Sequence, residues 1–339
     1  MALKVSICVN LFHPSVGGAE SVAKTIADYV AQHHEVSVFT RKLIGKKRNP
    51  QDFPYRVYEY QSGDLVGFEK KIHELKPDVV LIYSDVFDFF RTLATKRQPF
   101  QIILALCGAN WLYKHRNYIN MLYRNMKNIK YIICHSTRER DYKLCSVEFI
   151  KDKTIIIPNG IWLSEFDNNT KTRQDLAPTL ADKRWLVNVS NFFPGKGQEH
   201  LIDIFDQLPR MDQAAYIQIS SDIDFDIGKM LEDRWGLAVR KLKNKGMTVK
   251  LMKNLPREDV IGFLKQSNVF TFPSEKEVAP LVLLESMAAS LPWVATNVGN
   301  VTDLKGGTCI QSIKDSGYHS VFDKRVKLHF REAILNMWK

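Results

Sequence analysis

Two kinds of patterning alternate along this chain. Short, nearly continuous apolar runs occur at Lys4–Asn10, Val36–Thr40, Asp78–Tyr83, Gln101–Leu106, Lys130–His135 and Thr154–Ile157. They recur at Arg184–Ser190, Ala215–Ser220, Thr248–Met252, Asn268–Phe272 and Trp293–Thr296, while Tyr55–Tyr60 alternates apolar with polar. Runs apolar on both sides predict parallel strands covered on both faces. Between them, apolar residues repeat at helical spacing. Val22, Ala23, Ile26 and Val30 do so in Ala19–Val30, and Trp111, Tyr118, Leu122 and Met126 in Trp111–Asn128. Gln198–Gln207, Pro256–Leu264 and Ser320–Lys339 also read as helices. A further helix starts at about Pro280, with Leu281, Leu284, Glu285, Ala288 and Ala289 in register, and stops at Leu291-Pro292. Strands alternating with helices predict an α/β chain of doubly wound parallel sheets.

Length divides this pattern. A chain of 339 residues exceeds one ordinary core, and 45% hydrophobic content supplies two. We expect a first domain at 1–162, a polar linker at 163–182, a second domain at 183–321 and a closing helix at 322–339. No apolar run is long enough to span a bilayer, and the start, Met-Ala-Leu-Lys-Val-Ser-Ile-Cys-Val-Asn10, reads as a first strand rather than a signal peptide. Cys8, Cys107, Cys134, Cys145 and Cys309 are scattered without a C-x-x-C pair, which argues for reduced thiols in a cytoplasmic protein and against a zinc site.

Charge then separates the halves. The net charge is +11, and residues 1–160 hold 24 Lys and Arg against 15 Asp and Glu. Residues 91–140 carry ten basic residues and one acid, Glu139. The helix at Trp111–Asn128 puts Arg116, Arg124 and Lys127 opposite its apolar face. That face reads as a solvated surface, or as a peripheral contact with an anionic membrane or a lipid-linked diphosphate. A nucleic-acid partner is not expected, because no helix-turn-helix, finger or stacking platform accompanies the charge.

Candidate chemistry gathers at three strand-to-helix turns. Gly17-Gly18 precedes the first helix, where glycine lets a backbone approach a phosphate at a helix amino end; a plain tight turn is the other reading. Asn191-Phe-Phe-Pro-Gly-Lys196-Gly197 precedes a second helix, and Lys196 alone would pass for a surface lysine. Glu277 lies in a loop and Glu285 inside the following helix. Either acid alone reads as a structural ion pair, whereas the spacing and setting together favour a ligand site at the carboxyl ends of a parallel sheet.

Glu277-x7-Glu285, followed by Ser286-Met-Ala-Ala-Ser-Leu-Pro-Trp-Val-Ala295, resembles the signature of the retaining glycosyltransferases of family 4. Gly17-Gly-Ala-Glu20 is similar to their G-G-x-E loop, and Pro158-Asn159-Gly160-Ile161 to their P-N-G segment, with Trp162 in place of an acid. Asn191 through Gly197 resembles G-R-x-x-x-x-K-G, with Asn191 where arginine is usual. Cys107-Gly-Ala-Asn110-Trp111 stands where many members have His-Gly-x-Asp-Trp, so no histidine carries over there and Asn110 is left to touch sugar hydroxyls.

The resemblance implies a GT-B fold, in which two Rossmann-like domains face each other across a cleft and the last helix returns to the first. It implies transfer of a hexose from a nucleotide sugar, commonly UDP-linked, to a glycan or lipid-linked acceptor in envelope or exopolysaccharide synthesis. It implies no metal and no other cofactor, at the inner face of the plasma membrane or in the cytoplasm. Glu277 would orient the sugar and Lys196 support the departing diphosphate, with Gly17, Gly18, Asn191 and the amino end of the helix at Pro280, Leu281 and Val282. Glu285 would hold the ribose, and Leu255 would flank the base. A non-catalytic sugar-nucleotide or glycan binder is the rival expectation, raised by Cys107 and Asn191.

Overall fold

The apolar runs become the strands of two all-parallel sheets in a computed structural model of the chain. It describes residues 1–338 apart from 16, 44–46, 62, 85–87, 108–115, 139, 223–225 and 313–321, and leaves out the side chains of 116–118 and 140. The strands are β1 (Lys4–Val9), β2 (Glu35–Arg41), β3 (Arg56–Tyr60), β4 (Val79–Tyr83), β5 (Gln101–Ala105), β6 (Tyr131–Cys134) and β7 (Thr154–Ile156) in the first unit. In the second they are β8 (Arg184–Val189), β9 (Ala214–Ser220), β10 (Thr248–Lys253), β11 (Val269–Phe272), β12 (Trp293–Thr296) and β13 (Gly307–Ile310). Helices α1 (Gly18–Val30), α2 (Leu65–Leu75), α3 (Arg116–Asn125) and α4 (Arg140–Cys145) belong to the first unit. The second holds α5 (Leu163–Asp167), α6 (Arg173–Leu176), α7 (Gln198–Phe205), α8 (Asp226–Ala238), α9 (Arg240–Asn244), α10 (Arg257–Gln266), α11 (Leu281–Ala288) and α12 (Lys324–Trp338).

The sheet orders are β3-β2-β1-β4-β5-β6-β7 and β10-β9-β8-β11-β12-β13. Each sheet reverses its winding direction once, between β1 and β4 and between β8 and β11. At such a switch point the connecting loops diverge and leave a crevice at the strands' carboxyl ends. The central strands are buried on both faces, as their unbroken apolar runs require: every residue of β9 and of β11 is buried. In the first unit, Phe39, Phe68, Ile82, Phe90 and Leu104 share one core. In the second, Leu201, Phe205, Tyr216 and Trp235 pack on one face of the sheet, and Trp185, Phe263, Phe270 and Trp293 on the other.

Three features depart from the sequence reading. The chain divides at Gly160 and Ile161, and residues 163–182 are part of the second unit rather than a free linker. Their polar composition is spent locally. Phe166 is buried, the Arg173 guanidinium donates to the carbonyls of Gln266, Ala181 and Lys183, and Lys265 Nζ donates to Phe166 O and Asn169 O. The closing helix also stays with the second unit. Val326, Phe330 and Ile334 of α12 are buried in its core, and Lys327 reaches Asp203 on α7 at 2.7 Å. Finally, Gly306-Gly307 is no mere turn: Gly307 opens β13, and a Cβ there would collide with the Trp293 ring.

Candidate functional site

The site grows from two loops at the switch point of the second sheet. The loop after β8 turns through Gly195 (φ +85°) and Gly197 (φ +73°), in the left-handed region that favours glycine. At Gly197 space demands glycine as well, since a Cβ would run into the Pro273 carbonyl oxygen of the loop after β11. The two loops are laced together by Glu275 N donating to Gly195 O at 2.7 Å, with Ser274 Oγ 3.1 Å from the same oxygen. Lys196, held between the two glycines, points its Nζ to Glu277 Oε1 at 2.7 Å. Ser274 Oγ donates to that same carboxylate oxygen, also at 2.7 Å. The lysine side chain is 30% exposed and the glutamate 14%, so the pair is half-sheltered yet reachable.

Glu277 is fixed from a third side. A Cβ on Gly299, at φ +51°, would overlap the carbonyl oxygen of Val278, and Asn300 N donates to that carbonyl at 3.1 Å. Two residues on, Pro280 caps α11 without a side-chain hydrogen bond. Leu281 and Val282 form the first turn, whose N–H groups have no carbonyl inside the helix to serve. They offer positive dipole to an anion beside Lys196 and Glu277.

Glu285 has a different setting. It is buried, and Arg257 Nη1 of α10 donates to its Oε1 at 2.6 Å. Arg257 also reaches Glu165 Oε2 of α5 at 3.0 Å through Nη2 and lies over the Phe166 ring. Burial pulls the Arg257 pKa down, but the Glu285 and Glu165 carboxylates outweigh it and hold the guanidinium above its ordinary value. The ion-pair reading of Glu285 therefore holds, with a partner that spacing did not identify. Arg257 follows Pro256 at a helix start, and only tertiary packing aims it at Glu285.

The remaining candidates fall into two groups. Asn191 sits beside the lysine loop, its Oδ1 accepting from Ser221 N at 2.8 Å, so its acceptor ties the loop after β8 to the loop after β9. Leu255 follows β10, two strands from β8, and packs half-buried on the sheet. Gly17, Gly18 and Cys107 lie in the first unit. Gly17 is the N-cap of α1, and the Glu20 carboxylate folds back over the space that a Cβ at Gly17 would take. Burial raises the Glu20 carboxyl above its usual range, against a hydrogen bond from its own backbone N–H. Cys107, at φ +48°, follows β5 with its Sγ 3.1 Å from His135 Nε2. Asn110 and Trp111 lie outside the described residues.

Cation-binding groups and cavities complete the survey. Among the described residues, one cluster, Glu199, His200 and Glu275, brings its ligand atoms within 4.8 Å of one another. There His200 Nε2 meets Glu275 Oε1 at 2.8 Å, and its ring stacks on Phe322. A cavity of about 870 Å³ in the first unit is lined by Arg97, Lys127, Lys130 and Lys153, which locates part of the basic stretch. It also touches Gln101 and Tyr131, the first residues of β5 and β6, and so lies at the opposite edge from the loops described above.

Comparison with known proteins gives the family and the fold. Residues 16–165 match the family model Glycosyltransferase Family 4, and residues 171–306 match Glycosyl transferases group 1. TuaC of Bacillus subtilis, provisionally assigned as a teichuronic acid biosynthesis glycosyltransferase, is 27% identical over 177 residues, 51% of this chain and 40% of that protein. The chain thus matches less than half the length of this curated relative. HepE of Anabaena, solved with UDP-glucose, superposes with a TM-score of 0.74 at 16% identity, covering 99% of this chain and 91% of HepE. Sucrose-phosphate synthase of Thermosynechococcus elongatus gives 0.77 at 17% identity, covering 99% and 90%. With two family models together spanning most of it and two doubly wound units of matching architecture, the chain belongs to glycosyltransferase family 4 and has the GT-B fold.

Proposed function

We propose that the protein is a retaining glycosyltransferase that moves a hexose from a nucleotide sugar, UDP-glucose or a related UDP-sugar, to a glycan or lipid-linked acceptor. The observation that carries this reading is the Lys196–Glu277 contact, at 2.7 Å, at the switch point of the second sheet. Glycosyl transfer passes through a state with positive charge on the sugar and negative charge on the leaving diphosphate. A lysine beside a helix amino end answers the second need, and a carboxylate that accepts sugar hydroxyls answers the orienting need. Before donor binds, the two side chains neutralise each other. A diphosphate would draw Nζ away from Glu277 Oε1 and leave that carboxylate, still anchored by Ser274 Oγ, free to take sugar hydroxyls.

Glu285 would take the ribose diol. Arg257, donating to its Oε1 at 2.6 Å, fixes its orientation. Lys196 and the first turn of α11 supply leaving-group support without a metal ion, so the reading requires none. HepE, solved with UDP-glucose on the same fold, supports a UDP-linked donor. The basic residues within 91–140, Arg97, Lys127 and Lys130 among them, would attract an anionic membrane or a lipid diphosphate. Among the described residues no helix is long and apolar enough to cross a membrane.

A second reading, a sugar-nucleotide binder without turnover, is favoured by Asn191, which brings no charge and whose acceptor is engaged by Ser221 N. Radiolabelled UDP-sugars separate the two. Slow hydrolysis or transfer that disappears in Glu277→Gln establishes the enzyme, and saturable binding without turnover on any donor establishes the binder.

A further inference from the structure

Cys107, Tyr83 and His135 meet at the carboxyl ends of three neighbouring strands, β5, β4 and β6. The His135 imidazole is buried, and its two nitrogens have distinct partners. Nδ1 lies 2.9 Å from the carbonyl oxygen of Ile157, which can only accept. The ring proton therefore sits on Nδ1, and Nε2 presents its lone pair. That lone pair faces Cys107 Sγ at 3.1 Å, with the Tyr83 hydroxyl at 3.4 Å. A nucleophile in reach of a base, with the base oriented by a third group, is the arrangement that activates thiols.

We propose that Cys107 is a nucleophilic thiol with His135 as its general base, and is thereby a site of covalent modification by peroxides and other soft electrophiles. In the resting state the thiol donates to Nε2. When a peroxide approaches, the Sγ proton passes to Nε2 while the sulfur electron pair attacks one peroxide oxygen. The O–O bond breaks, and the leaving hydroxide takes the proton from the imidazolium. A thiol and a peroxide become a sulfenic acid and water, or an alcohol when the peroxide is organic. Burial disfavours the transient imidazolium, while the nearby Asp141 carboxylate and the Ile157 carbonyl favour it. Cys8, Cys134 and Cys145 are buried, whereas Cys107 and Cys309 are half-buried. Cys309 is thus an internal standard of similar exposure on β13 of the other unit.

The test is competitive labelling of the intact chain with iodoacetamide, read by peptide mass spectrometry. Cys107 should alkylate about tenfold faster than Cys309 near neutral pH, and His135→Gln should remove most of that ratio. Tyr83→Phe removes a second donor to Nε2 and should leave the ratio undiminished. With hydrogen peroxide, a dimedone-trapped sulfenic acid should appear at Cys107 first. Should His135→Gln misfold, the wild-type ratio read against pH decides: it should fall as imidazole protonates, because a protonated Nε2 cannot take the thiol's proton. A Cys107 rate no faster than that of Cys309, a ratio unchanged by His135→Gln, or a ratio flat across pH overturns the proposal.

Discussion

The carboxyl edges of the two sheets are built on the same plan and furnished differently. In the second unit, glycines at 195, 197 and 299 let three loops pack backbone against backbone, and the charged groups face one another across that packing. In the first unit the corresponding edge carries the start of α1 at Gly17, with the Glu20 carboxylate folded back on it, and a thiol against an imidazole at Cys107 and His135. One edge is arranged to hold opposite charges in place. The other combines an ion pair, Arg41 with Asp88 at 2.8 Å, with a hydrogen-bonded thiol and imidazole, and burial raises the Glu20 carboxyl above its ordinary range. The comparison teaches that fold repeats while chemistry does not: the winding fixes where a site lies, and individual side chains decide what it does.

Breaking the charged edge should have the largest consequence. Lys196→Ala and Glu277→Gln should each lower turnover on a UDP-sugar on the order of 10²–10³-fold. Both side chains reach solvent, so thermal melting should change little. Equal losses in the single and double variants would identify the two as one functional unit. Next comes the frame that holds them. Gly197→Ala forces a side chain into left-handed backbone and onto the Pro273 carbonyl, and should cost about 1–3 kcal/mol in chemical denaturation, with lowered turnover as the loop shifts.

A smaller effect is expected at Arg257. Arg257→Ala leaves Glu285 buried without its cation, at about 1–2 kcal/mol after allowing for solvent on the arginine side. Arg257→Ala with Glu285→Gln should regain part of that stability but not the affinity for donor. The edge of the first unit gives the smallest response. The folded Glu20 carboxyl titrates above its ordinary value of 4.5, so its contribution is fully present below that value and is lost as pH rises through the folded one. Glu20→Gln should therefore raise the melting temperature slightly near neutral pH, and leave it unchanged in acid below 4.5.

How much of this could be read from the residues depended on how far each feature reached along the chain. Lys196, Glu277 and the first turn of α11 were legible because the groups that define them sit within single strand-to-helix loops. The doubly wound sheets were legible for the same reason, from apolar runs such as Val79–Tyr83 and Ala215–Ser220. Arg257 was not, since its bond to Glu285 crosses 28 residues and depends on α10 packing beside α11. The same holds for His135: Cys107 stands out in the sequence as a departure from a family motif, but its partner follows the neighbouring strand, 28 residues on. Residues 163–182 looked like a linker because they are polar. The structure shows instead a side chain such as Arg173 satisfying carbonyls at the base of a sheet. The resemblance implies a closing helix that returns to the first unit, whereas the apolar face of α12 fills the second core.

The most direct trial of the central claim is thermal unfolding of wild type, Lys196→Ala and Glu277→Gln in the presence of UDP-glucose and UDP. A ligand at 100 times its dissociation constant stabilises by about 2.7 kcal/mol, a shift readily seen. Wild type should be stabilised by both ligands, Lys196→Ala by neither at the same concentrations, and Glu277→Gln by UDP far more than by the sugar nucleotide's added hexose. Stabilisation of all three proteins to the same extent by both ligands would contradict the placement of the donor at the Lys196–Glu277 pair.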